Sequence, residues 1–140
     1  MRNFLLLLLL VFGFQTVSAQ ITGKWKTIDD ETGEPKSIVS IYEKDGEYYG
    51  KVVEILNEDR KNAKCKECDE DDPRYMKPVQ GMEIIKGMEK NEDGEYEDGT
   101  ILDPENGSVY RCKIWREGKT LKVRGYLAFL YRTQTWYPVN

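Results

Sequence analysis

Cys65-Lys66-Glu67-Cys68 is the pair of side chains in this sequence with spacing best suited to chemistry. Two thiols three positions apart can close a local disulfide, cycle as a redox pair or supply half of a zinc site. A redox pair needs surroundings that favour the thiolate. Lys66 helps, but Glu67 and the run Asp69-Glu70-Asp71-Asp72 surround the sulfurs with negative charge, which disfavours it. Structural zinc takes four Cys or His ligands, and the chain has three Cys and no His. A disulfide between Cys65 and Cys68, stapling a loop in an oxidising compartment, is therefore the leading expectation, and a thiol-redox protein is an alternative. The third thiol, Cys112, alternates with Tyr110 and Ile114 on one strand face and is expected as a small buried wall residue. A bridge from the loop to Cys112 is a further alternative.

Other chemistry finds little footing. Without histidine there are no His-based triads, bases or metal clusters. The acids Asp69 to Asp72, with Glu58 and Asp59, lack the alternation and central Gly of an EF-hand loop and read as a solvated segment. Nucleophile, paired-carboxylate and phosphate-loop signatures are missing, so the expectation is a protein that is not an enzyme and has no cofactor or metal.

The chain opens on Phe4 to Phe14, an unbroken apolar run after Arg2 and before Thr16-Val17-Ser18-Ala19. That pattern is a signal peptide over residues 1–19, too short to span a bilayer, and it predicts export to the periplasm or beyond. Cleavage removes one base and no acid, so the mature chain is one unit more negative than the −4 of the full sequence. Residues 20–140 have the length of one domain. Acidic balance argues against nucleic acid or an anionic membrane as a general partner. No later apolar run approaches a membrane span. The sequence names no protein partner.

Three Trp and nine Tyr sit in short segments separated by Gly, Asp and Asn, the rhythm of an all-β protein. Eight strands are predicted: Lys24 to Ile28, Ser37 to Glu43, Glu47 to Leu56, Met82 to Met88, Glu95 to Leu102, Ser108 to Trp115, Lys119 to Leu127 and Tyr131 to Tyr137. Asp45-Gly46 suits a tight hairpin, and Gly107 supplies the left-handed residue of a bulged one. One long loop, Asn57 to Gln80, follows strand three and could act as a lid over an open barrel end. Short connections pair sequential strands as an antiparallel meander. Closure into an eight-stranded up-and-down β-barrel removes the exposed edges and encloses a filled core or one small ligand. A β-sandwich is the alternative, and only the long loop could serve as its crossover.

Within a barrel, alternate residues face inward. Arg124 and Tyr126 share one face, and Arg132, Gln134 and Trp136 share another. With Tyr42, Tyr49 and Tyr110 they make a partly polar interior expected to take a small apolar or acyl-type ligand carrying a carboxylate. The alternative is an envelope or extracellular interaction module whose barrel is filled by side chains.

The segment Ile21-Thr22-Gly23-Lys24-Trp25 resembles the opening of the calycin barrels, the lipocalins and avidins. That resemblance implies that Trp25 plugs the closed end of the barrel under an Arg of the last strand, with Arg132 the candidate and Arg124 its rival. Over the mature chain the residues are closer to a bacterial exported family called domain of unknown function 2147. They match it at Gly23-x-Trp25, Tyr49-Gly50-Lys51, Cys65-x-x-Cys68, Gly99-x-Ile101-Leu102-Asp103-Pro104, Gly107 with Tyr110, Val123-Arg124-Gly125-Tyr126 and Thr133-Gln134-Thr135-Trp136. This likeness implies a calycin-like barrel and an exported location, and no activity.

Overall fold

A computed structural model describes residues 20–139, so the predicted signal peptide lies outside the described residues. Turn chemistry sets the strand spacing. Asp45 and Gly46 both take positive φ, 54° and 83°, which turns a hairpin with the right twist. The Asn91 side chain accepts the backbone N–H of Asp93 and of Glu95, and the Asp103 carboxylate accepts that of Glu105. Between such turns lie β1 (Gly23–Ile28), β2 (Pro35–Lys44), β3 (Glu47–Ile55), β4 (Glu83–Lys90), β5 (Tyr96–Leu102), β6 (Val109–Glu117), β7 (Thr120–Leu127) and β8 (Leu130–Pro138). All the predicted strands are present, with ends shifted by at most two residues.

Every strand pairs antiparallel with the next, and β8 returns to β1 to close the barrel. The closing seam is short. Among the described residues only Trp25–Pro138 and Lys26–Tyr137 are paired across it, with Val139 donating to the Lys24 carbonyl. Higher up, the Asp30 carboxylate accepts hydrogen bonds from Arg132 and from Gln134, so side chains tie the seam where the backbone ladder has ended.

The two ends differ. At the lower end Ile21, Trp25, Ile85, Met88, Tyr96, Ile114 and Leu121 are fully or nearly fully buried and fill the interior. Trp25 donates its indole N–H to the Ile21 carbonyl at 2.8 Å. The guanidinium over its ring, 5.3 Å from the centroid, belongs to Arg116 of β6, which also donates to the Gln20 carbonyl at 2.8 Å. The expected Arg132 is at the opposite end. β8 runs antiparallel to β1 and its last residues flank Trp25, so Arg132 lies six positions away, roughly 20 Å along the strand. The rival, Arg124, stacks on Trp115 instead.

The long loop is ordered by its own contacts. It contains a short 3₁₀ turn, Glu58–Arg60, and a β-bridge between Lys64 and Pro78. Cys65 and Cys68 are joined by a disulfide and buried, and Val79 is buried with them. Arg74 clamps the segment: it makes a fork of hydrogen bonds to Asp72 and donates to the Glu83 carbonyl at 3.0 Å. That guanidinium holds the Asp72 carboxyl well below the usual range, at about 2.

Candidate functional site

Above Trp136 the side-chain filling stops. The upper half of the barrel holds a cavity of about 340 Å³ that opens among the β1–β2, β3–β4, β5–β6 and β7–β8 connections. Its wall is apolar: Val52, Ile55, Ile84, Ile101, Leu102 and Val123 come from the strands, and Ala63 and Val79 from the long loop. Inward alternation explains the strand contribution, since β7 buries Leu121 and Val123 and leaves Lys122, between them, on the outer face.

Polar groups gather at the mouth. Thr27 and Ser37 share a hydroxyl–hydroxyl hydrogen bond of 2.7 Å. Lys36, at 3.0 Å, and Arg60, at 3.7 Å, both meet the Glu105 carboxylate, so two cations share one acid. A hydrogen-bonded chain climbs one side from the depth to the rim. Trp136 donates to the Gln134 amide oxygen at 3.1 Å, Gln134 donates to Asp30 at 2.9 Å, and Asp30 also accepts from Arg132.

The residues expected inside divide into two groups. Tyr110, Gln134 and Trp136 line the cavity together. Tyr42, Tyr49, Arg124 and Tyr126 do not. Tyr42 and Tyr49 are paired across β2 and β3 on the outer face, where their rings stack with centroids 5.9 Å apart. Tyr42 donates to Glu83 at 2.5 Å, and burial followed by that bond pushes its phenol up to about 12. Arg124 lies outside, 4.8 Å over the Trp115 ring and 4.3 Å over that of Tyr131, and donates to Thr133. Tyr126 faces Arg111 on the same outer surface. The sequence held the deciding signal: Leu121, Val123 and Gly125 alternate on one face of β7, and the apolar face of a strand is the inward one. Gln134 is inside, but its amide is already committed to Trp136 and Asp30.

Sequence reasoning missed Lys36, Arg60 and Glu105. They stand in a strand start, a polar loop and a turn, and only the fold brings them to one rim. Cys112 is buried and inward, and desolvation pushes its thiol up to about 12. Among the described residues no helix is long and apolar enough to cross a membrane.

A family model described as an uncharacterized protein conserved in bacteria, DUF2147, matches residues 23–137. No curated protein matches. Among solved structures, the chain is similar to the protein HP1028 from Helicobacter pylori, described as belonging to the lipocalin family. The TM-score is 0.74 at 16% identity, over 87% of this chain and 84% of that one. At that identity the likeness shows the shared barrel.

Proposed function

The chain belongs to the DUF2147 family of uncharacterised bacterial proteins, and from that premise we propose that it is an exported binding or carrier protein for a small, partly apolar ligand. The observation that carries this reading is the half-empty barrel: packing ends at Trp136 and gives way to a cavity of about 340 Å³. A lipocalin-family neighbour with the same barrel is consistent with it.

The wall sets the ligand class. At roughly 30 Å³ per water-sized group, the cavity takes on the order of ten non-hydrogen atoms. Each buried methylene contributes ~0.8 kcal/mol, so a medium acyl chain reaches micromolar affinity before ordering costs are subtracted. At the rim, Lys36 and Arg60 outnumber the single carboxylate between them and suit an acidic headgroup. Asn57, Arg60, Ala63 and Val79 bring the long loop over the same mouth in the role of a lid. Burial of both loop sulfurs favours a staple over a redox pair, because exchange requires attack on an accessible sulfur.

The test is native mass spectrometry of the protein purified from its host, followed by titration with a medium-chain fatty acid and with the alcohol of equal length. A bound small molecule, or micromolar binding of the acid with weaker binding of the alcohol, is expected. An empty protein that binds neither probe would return the barrel to the interaction-module reading.

A further inference from the structure

The β7–β8 hairpin ends in five consecutive exposed apolar residues, Leu127-Ala128-Phe129-Leu130-Tyr131. Phe129 is 89% exposed, and Leu127 and Leu130 are 60% and 63% exposed. A two-residue turn normally takes Gly, Asn or Asp where φ is positive. Here Ala128 occupies that position at φ 54°, and the tip gives all its places to apolar side chains. Such a run does nothing for the core and marks a contact surface.

Charge around the tip says which surface. Arg111 reaches the Ala128 carbonyl at 3.5 Å, Arg124 stacks on Tyr131, and Arg132 follows directly in β8. Asp30 neutralises Arg132. Among the described residues Arg111 and Arg124 form no ion pair. An apolar tip collared by unneutralised guanidinium groups is complementary to an anionic bilayer.

We propose that the β7–β8 hairpin docks this protein on an anionic phospholipid surface. Phe129 and Leu130 enter the acyl region, and Arg111 and Arg124 meet lipid phosphates. The acidic net charge opposes such a surface for the rest of the molecule, so docking is confined to this end. Leu127, Leu130, Tyr131 and Arg132 also line the cavity mouth, so a docked barrel opens toward the bilayer. An acyl chain can then pass between lipid and cavity without crossing water. Docking itself requires no ligand in the barrel, which makes it separable from the binding reading.

Sedimentation of the mature chain with vesicles tests it, using phosphatidylglycerol mixed with phosphatidylethanolamine against phosphatidylcholine alone. Sedimentation with the anionic vesicles, weakened by salt, is expected. Phe129→Ser should lower vesicle affinity by roughly tenfold, with melting unchanged because this side chain is outside both the core and the cavity lining. Arg111→Gln with Arg124→Gln should remove the preference for anionic lipid. Fatty-acid titration in lipid-free solution should be the same for the wild type and the Ser variant, so failure of docking and failure of cavity binding read out separately. Absence of sedimentation, or equal sedimentation by the Ser variant, overturns the proposal. A dimer in lipid-free solution that Phe129→Ser abolishes would assign the tip to a second copy and overturn it as well.

Discussion

Gly107, in the β5–β6 turn, lies directly against Glu67 of the disulfide loop: a Cβ on Gly107 would stand 1.8 Å from the Glu67 carbonyl oxygen and 2.8 Å from the Cys68 nitrogen. The turn residue that the sequence marks as left-handed, with φ 75°, is thus also the seat on which the loop rests. Cys65 Sγ adds a contact 3.7 Å from the Pro104 carbonyl oxygen. Two segments far apart in sequence meet here, and each lends neighbouring residues to the cavity lining.

Gly107→Ala should therefore cost about 2 kcal/mol or more, combining a disfavoured φ with a backbone clash. Gly107→Asn separates the two causes, since Asn tolerates positive φ yet carries a Cβ. Equal losses for Ala and Asn in urea denaturation would assign the cost to the contact with Glu67. Full recovery by Asn would assign it to the turn alone.

Reduction of the disulfide should act on binding more than on melting. The bridge closes a separation of only three residues, so its chain-entropy contribution is small, about 2 kcal/mol. Tm should fall by less than about 10 °C, while fatty-acid affinity falls on the order of tenfold because the loop over the mouth loosens. Identical affinity with and without reductant would remove the lid role from the loop.

Arg116→Ala should destabilise the lower end by about 1–2 kcal/mol, through loss of the stack on Trp25 and of the hydrogen bond to Gln20. In a background carrying Trp115→Phe and Trp136→Phe, Trp25 emission should shift to the red in that variant and stay unchanged in Arg132→Ala. A shift in the second variant would contradict the placement of Arg132 at the opposite end.

Acid should loosen the long loop through Asp72. Its folded pKa, held to about 2 by Arg74, lies below the ordinary value of 3.8. The clamp therefore contributes fully above about pH 4 and is lost as pH falls toward 2. Amide protection factors over residues 63–79, corrected for the intrinsic pH dependence of exchange, should fall across that window in the wild type. Asp72→Asn, which cannot titrate, should lack the window.

Much of the architecture was legible because its determinants are local. A strand shows itself as alternation over a few residues, and a hairpin as Asp45-Gly46 or Asp103 to Gly107, where the backbone needs particular side chains. The shared faces of Tyr110 with Cys112 and of Gln134 with Trp136 follow from period two. The same rule was available for β7, where Leu121 and Val123 mark the inward face and put Arg124 and Tyr126 outside.

The sequence by itself determined the strand count, the turns and the pairing of neighbours, since these depend on residues a few positions apart. Tertiary structure decided which arginine covers Trp25, how short the β1–β8 seam is, that filling stops at Trp136, and that Lys36, Arg60 and Glu105 share a rim. Those outcomes depend on how the closed barrel sets strand ends beside one another. Closure is a property of the whole ring, and no window of the chain contains it.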